Sequence, residues 1–176
     1  FRSRGVGCTT SAATITLAWP MSRHWLKPWP MPPARWVGAG AAGLVCGHHQ
    51  AHEALAEELA DWLGVESVLL FGNGYLANIG VLQALAGKGD AIFQDRLNHA
   101  SLLDGGLASC AHHQRYAHGD VTDLQRRLRD NSARRRLIVS DGVFSMDGDL
   151  APLPELVHCA QQHDALLMLD VAHAFG

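Results

Sequence analysis

From Val37 onward, short apolar runs of strand length alternate with longer stretches of helical periodicity, and that alternation leaves few architectures open. Gln50 to Leu63 puts Ala51, Leu55, Leu59, Trp62 and Leu63 on one helical face, with Glu53, Glu57, Glu58 and Asp61 elsewhere. Gly64 stands at the expected C-terminal stop. Val68-Leu69-Leu70-Phe71 reads as a buried strand ending in the Gly72-Asn73-Gly74 turn, and a second helix is predicted from about Tyr75 to Ala86. Asp90 to Gln94 predicts a strand, with a short helix beginning near Ala100. His113 to Ala117 predicts another strand, after which Asp120 caps a helix running through Arg129. Leu137 to Ser140 is predicted as strand, Leu153 to Gln162 as helix and Ala165 to Asp170 as strand. Strands alternating with helices pair in parallel through right-handed crossovers. The fold class is therefore α/β, a mostly parallel open sheet with flanking helices.

Composition narrows the function. A chain of 176 residues, 48% of them hydrophobic, can bury the core of one ordinary domain. Its net charge of −3 argues against nucleic acid as a partner, because phosphate affinity needs a concentrated basic surface. No stretch of eighteen apolar residues runs without a charge, so no membrane span is expected. Cys8, Cys46, Cys110 and Cys159 lack C-x-x-C spacing and read as free thiols in a reducing compartment, which points to a cytoplasmic enzyme.

Residues 1–36 do not match the rest. They hold four of the five tryptophans and five of the seven prolines, and no acid occurs before Glu53, while Arg2, Arg4, Arg23, Lys27 and Arg35 all precede it. The run Pro28-Trp29-Pro30-Met31-Pro32-Pro33 cannot continue a helix or join a central strand, since each proline lacks an N–H. Those prolines also spoil the amphipathic helix that an organelle transit peptide needs. The chain is thus expected to divide into an anomalous segment, 1–36, and a partial domain, 37–176.

In open α/β sheets ligands bind at the carboxyl ends of strands, and several polar groups sit there. Gly72-Asn73-Gly74-Tyr75 opens a helix whose N–H groups and dipole suit a phosphate, although a plain tight turn has the same sequence. His99 follows Asn98 just ahead of a helix, where a histidine is more often a cap than a ligand. Ser145 lies in the turn-rich stretch Asp141 to Asp149, where hydroxyls usually cap helices. Asp170 ends the run Leu166-Leu167-Met168-Leu169, where an acid is costly to bury unless something cationic meets it, and His173 follows three residues on. Each group alone favours the bland reading. Together they describe a phosphate cradle, a ring-stacking imidazole, a hydroxyl and a partner for a protonated pyridine nitrogen, the set that pyridoxal 5'-phosphate requires. Two histidine groups, His48, His49 and His52 and then His112, His113 and His118, lack the cysteine or carboxylate that would complete a zinc site, so no metal is expected. The run Arg134-Arg135-Arg136 reads as a solvated turn ahead of a strand.

From about Val37 to Gly176 the chain resembles the α-oxoamine synthases, pyridoxal phosphate enzymes of the aspartate aminotransferase-like fold. The matching segments run in order: Gly47-His48-His49 through Leu63-Gly64, Gly74-Tyr75-Leu76-Ala77-Asn78, Asp95 through Leu103, Asp141 through Asp149, and Asp170-Val171-Ala172-His173. The resemblance implies the partial large domain of a fold type I transferase. It is strongest to the branch serving biotin biosynthesis, which condenses a pimeloyl thioester, on coenzyme A or a carrier protein, with L-alanine. The same resemblance implies a homodimer when the protein is complete. It also implies that Gly74 and Tyr75 help hold the cofactor, that His99 stacks on its ring and that Ser145 hydrogen-bonds it. Asp170 would keep the ring nitrogen protonated and His173 would contact the ring oxygen. His99, Asp170 and His173 are thus the expected catalytic residues.

Three departures accompany the match. Val171 stands where the family often has a second acid, and Ala174 where it has glycine. The Schiff-base lysine of the family lies beyond the equivalent of Gly176, and neither Lys27 nor Lys88 fits that role. The chain is therefore expected to be a fragment, inactive alone. Read one base out of register, Thr10 to Pro20 permits N-F-C-S-N-D-Y-L-G-L-A, similar to a family signature near the N-terminus. The same frame through Ala34 permits an amphipathic helix without proline. A coding indel upstream, compensated near Arg35-Trp36-Val37, is expected; an authentic proline-rich arm is the alternative. The rival activities are that of a glycine C-acetyltransferase-like sibling and that of a non-catalytic cofactor-binding or dimerisation remnant.

Overall fold

Strands and helices alternate as the apolar pattern requires. The computed structural model describes residues 41–174 and, by backbone alone, 12–14. The frameshift reading of residues 1–36 otherwise lies outside the described residues. The described residues up to Phe71 form one unit, and those from Gly72 onward form a second together with 12–14.

The first unit holds a π-helical turn, Gly43–Gly47, and helix α1, Gln50–Leu63. The histidines here serve the helix: the His49 backbone N–H donates to His52 Nδ1 at 3.1 Å, and the two side chains cap reciprocally. Gly64 ends α1 in the left-handed conformation, φ 65°, where a β-carbon would strain the backbone. Val68–Phe71 corrects the sequence reading, because it is not a strand. Leu69 and Phe71 are exposed, and no ladder among the described residues includes them. An apolar run becomes a strand only where a neighbour satisfies its N–H and C=O groups, and periodicity carries no information about the partner.

The second unit runs β1 (Ala12–Thr14), α2 (Gly74–Leu85), β2 (Ala91–Asp95), α3 (Ala100–Ala108), β3 (His112–Tyr116), α4 (Val121–Arg129), β4 (Arg136–Asp141), α5 (Leu153–Gln162) and β5 (Leu166–Asp170). Among the described residues the strands of the sheet all pair in parallel, in the order β1-β5-β4-β2-β3. The expected parallel sheet with flanking helices is therefore present, with element ends shifted by a residue or so.

The pleat sorts the core into two faces. Ala91, Phe93, Ile138 and Tyr116 meet Leu124 and Leu128 of α4 and Leu156, Cys159 and Ala160 of α5. On the other face, Ile92, Leu137, Val139 and Met168 meet Leu82 of α2 and Leu102 of α3. β2 is buried at all five positions because helices cover both its sides. Helices α2 and α3 approach closely at Gly105, where a β-carbon would stand 2.8 Å from Leu82 Cδ1 and 3.1 Å from Ile79 Cα. Arg134 and Arg135 lie exposed in a bend ahead of β4, as expected, and Arg134 also reaches the buried Asp90 at 3.1 Å. Among the described residues no helix is long and apolar enough to cross a membrane.

Candidate active site

Three strands end on a buried aspartate: β2 on Asp95, β4 on Asp141 and β5 on Asp170. Ladder register sets Asp141 directly opposite Asp170. Both follow the residues that pack on the α2–α3 face, Val139 and Met168, by two positions, so both carboxyls belong to that face.

Each acid is met by donors from neighbouring elements. Asp170 Oδ2 accepts from Asn78 Nδ2 of α2 at 2.7 Å, and its Oδ1 accepts from the Ala172 backbone N–H at 2.9 Å. Asp141 Oδ2 accepts from the His99 backbone N–H at 2.8 Å. Burial drives the Asp141 carboxyl up to about 6; the His99 N–H works against this, Asp170 adds to it, and His99 and His173 oppose it as charges. No lysine or arginine among the described residues pairs with Asp141 or Asp170.

His99 caps α3, as histidines in that setting usually do. Its Nδ1 lies 2.7 Å from Ser101 Oγ and accepts from the Ser101 backbone N–H at 3.3 Å. Ser101 Oγ accepts in turn from Asn78 Nδ2 at 2.9 Å. Asn98 fixes the end of β4 from the same loop, donating to the Val139 carbonyl and accepting from the Asp141 N–H.

The structure thus brings His99 and Asp170 into one network. Gly74 opens α2, which Asn73 caps by accepting the Leu76 N–H at 2.9 Å. Tyr75 follows, exposed, and its hydroxyl donates to Asp104 of α3; that bond, some desolvation and the Asp104 charge raise the phenol above its ordinary value. His173 is exposed just past β5. Ser145 is exposed in the loop 142–150, joined to the network by no hydrogen bond among the described residues.

Asn78, Ser101 and Asp141 were missed as site residues. Signals for two of them stood in the sequence: an asparagine inside an apolar helix needs a buried partner, and Asp141 ends an apolar strand as Asp170 does. Ser101 gave none, since a serine in a first helical turn is ordinary.

A second cluster lies toward the other face. His118 Nδ1 meets Asp95 Oδ1 at 2.9 Å, its Nε2 meets Asp149 Oδ2 at 2.6 Å, and its ring stands edge-on to Phe144 at 4.5 Å. Among the described residues no group of three histidine, cysteine or acidic side chains is arranged to hold a metal ion.

Comparison with known proteins bears on this geometry. A curated 8-amino-7-oxononanoate synthase from Cellvibrio japonicus is 58% identical over 81% of this chain, which spans 36% of that relative's length. The structure of serine palmitoyltransferase from S. paucimobilis, solved with a bound PLP–myriocin aldimine, matches with TM-score 0.73 and 35% identity, over 75% of this chain and 34% of that one. An 8-amino-7-oxononanoate synthase from Francisella tularensis matches with TM-score 0.59 and 28% identity, over 69% of this chain and 34% of its own. The family model for aminotransferase class I and II matches residues 31–176, and with the parallel sheet and these likenesses in hand, the chain belongs to that family.

Proposed function

We propose that this chain is part of the cofactor domain of a pyridoxal phosphate-dependent acyltransferase. The reaction would be the decarboxylative condensation of a pimeloyl thioester with L-alanine to give 8-amino-7-oxononanoate. The observation that carries the reading is the facing pair Asp141 and Asp170, buried at strand ends with no lysine or arginine to meet them among the described residues. Such a pair is a costly arrangement for a fold to keep unless a cationic ligand group enters beside it. A protonated pyridine nitrogen fits that need, so the donor set suits the cofactor. The 58% identity to a curated synthase supports the choice of reaction.

When bound, pyridoxal phosphate supplies the electron sink that carbanion chemistry at an amino-acid α-carbon needs. The chain's own residues do the rest. Asp170 would hold a proton on the ring nitrogen, Asn78 and the Ala172 N–H fix that carboxylate, and His99 would cover the ring. The head of α2 at Gly74 and Tyr75 offers N–H groups and a positive dipole to the phosphate. Ser145 and His173 would hydrogen-bond the cofactor from flanking loops. The Schiff-base lysine we assign to the remaining length of the whole protein, since Lys88 lies in the turn before β2, at the far end of the sheet. A homodimer in the cytoplasm completes the proposal.

Titration of this chain with pyridoxal phosphate, followed by cofactor absorbance and protein fluorescence, tests the reading. Saturable binding is expected, weakened about tenfold or more by Asp170→Asn, which removes a charge-assisted hydrogen bond. Absence of binding by the unaltered chain would overturn it. On the lysine-bearing whole protein, turnover of L-alanine with pimeloyl thioester, against glycine with acetyl thioester, separates the proposed activity from the glycine C-acetyltransferase rival.

A further inference from the structure

Asn78 is 1% exposed in the middle of an apolar helix, a position that costs stability unless its amide is fully used. A carboxylate only accepts hydrogen bonds, so it is the amide nitrogen that faces Asp170 Oδ2 at 2.7 Å. The second N–H of the same nitrogen reaches Ser101 Oγ at 2.9 Å. Having accepted there, the hydroxyl has its own proton for His99 Nδ1, 2.7 Å away. The Ser101 backbone N–H, which can only donate, points at the same Nδ1 from 3.3 Å. The backbone contact requires Nδ1 to be an acceptor, and the hydroxyl proton then completes the pairing from Ser101, so the neutral ring carries its proton on Nε2.

We propose that Asn78 is a positioning residue that ties the two sides of the cofactor pocket together. One N–H orients the Asp170 carboxylate, and the other, relayed by the Ser101 hydroxyl, holds His99 in its Nε2–H tautomer. The proposal rests on the cofactor reading above. Its elements come from three separate parts of the fold: α2 supplies the amide, β5 the carboxylate and α3 the hydroxyl and imidazole. The facing acid accentuates the need, because Asp141 stands in register with Asp170 and a donor aimed at one carboxylate offsets the repulsion between the two. Asparagine alone among side chains of this length offers two N–H groups from one atom while carrying no charge.

Two substitutions on the 176-residue chain test this. Asn78→Asp keeps the shape and replaces the donors with acceptors, and Asn78→Ala removes the side chain while favouring the helix. Circular dichroism and urea unfolding identify the variants that fold. Histidine labelled with nitrogen-15 reports the tautomer of His99, assigned through His99→Gln, without any cofactor present. Pyridoxal phosphate titration supplies the second readout. The unaltered chain is expected to show Nε2–H, and each folded variant a mixed tautomer population together with an affinity about tenfold lower. A folded variant that keeps the original tautomer overturns the proposal whatever its affinity, and so does one that keeps the affinity. If the unaltered chain binds no pyridoxal phosphate, the functional reading fails, and the tautomer comparison alone decides the role of Asn78. If it binds and the variants change nothing, the reading stands and the role of Asn78 falls.

Discussion

Among the described residues, Asp141 carries a clear electrostatic cost. Its carboxyl is pushed up to about 6, first by burial, with the His99 N–H opposing and Asp170 adding to the rise. A carboxyl raised in the folded state contributes stability that is fully present below its unfolded value, about 4, and is lost as pH rises through about 6. Asp141→Asn removes that loss and leaves an oxygen to accept the His99 N–H. The variant is expected to be about 1–3 kcal/mol more stable than the unaltered chain at neutral pH and no more stable near pH 4, by urea unfolding. Equal midpoints at neutral pH would show that the pair carries no such cost. The sequence made half of this arrangement legible. Asp170 stood out because an acid closes an apolar run, and Asp141 closes another, but only strand register puts the two side by side. Asn78, Ser101 and Asp170 meet from three elements, and no spacing along the chain encodes that meeting.

Among the elements, α2 and α3 are joined more closely than their sequences announce. Gly105 has Leu82 Cδ1, Ile79 Cα and the Asn78 carbonyl within 3.2 Å of any β-carbon placed there. Gly105→Ala is expected to force the helices apart at a cost of about 1–3 kcal/mol, read as a lower urea midpoint, despite the better helix propensity of alanine. On the other face, His118 fastens the loop 142–150 to the end of β2 through Asp149 and Asp95. Burial lowers the imidazole's value, but hydrogen bonds to Asp95 and Asp149 and their charges outweigh it, so the net shift is upward. The latch therefore contributes stability that is full below the ordinary histidine value and fades as pH rises through the raised one. A steeper loss of stability toward alkaline pH is expected for the unaltered chain than for His118→Gln, and identical pH profiles would count against the latch. The helices and four longer strands were legible from period and caps. Val68–Phe71 was not, since an apolar run states that it must be covered and leaves open whether a ladder or a loop does the covering.

At the scale of the whole molecule, the three-layer arrangement follows from alternation, but the strand order β1-β5-β4-β2-β3 does not. Parallel strands need crossovers, and the sequence fixes neither which side each crossover takes nor where the order reverses. Here the order places β2 between β3, its successor, and β4, which comes two helices later. Its burial at every position is thus a debt to residues far along the chain. On a ribosome, β2 emerges with its inner edge open and stays so until Arg136–Asp141 has been made, while α2, α3 and β3 are already available to it. The insertion of β4 is accordingly expected to follow the pairing of β2 with β3, as a longer-range closure whose entropy is spent before its contacts reward it. Nascent chains halted short of β4 should remain open to protease across β2, and those long enough to include it should close.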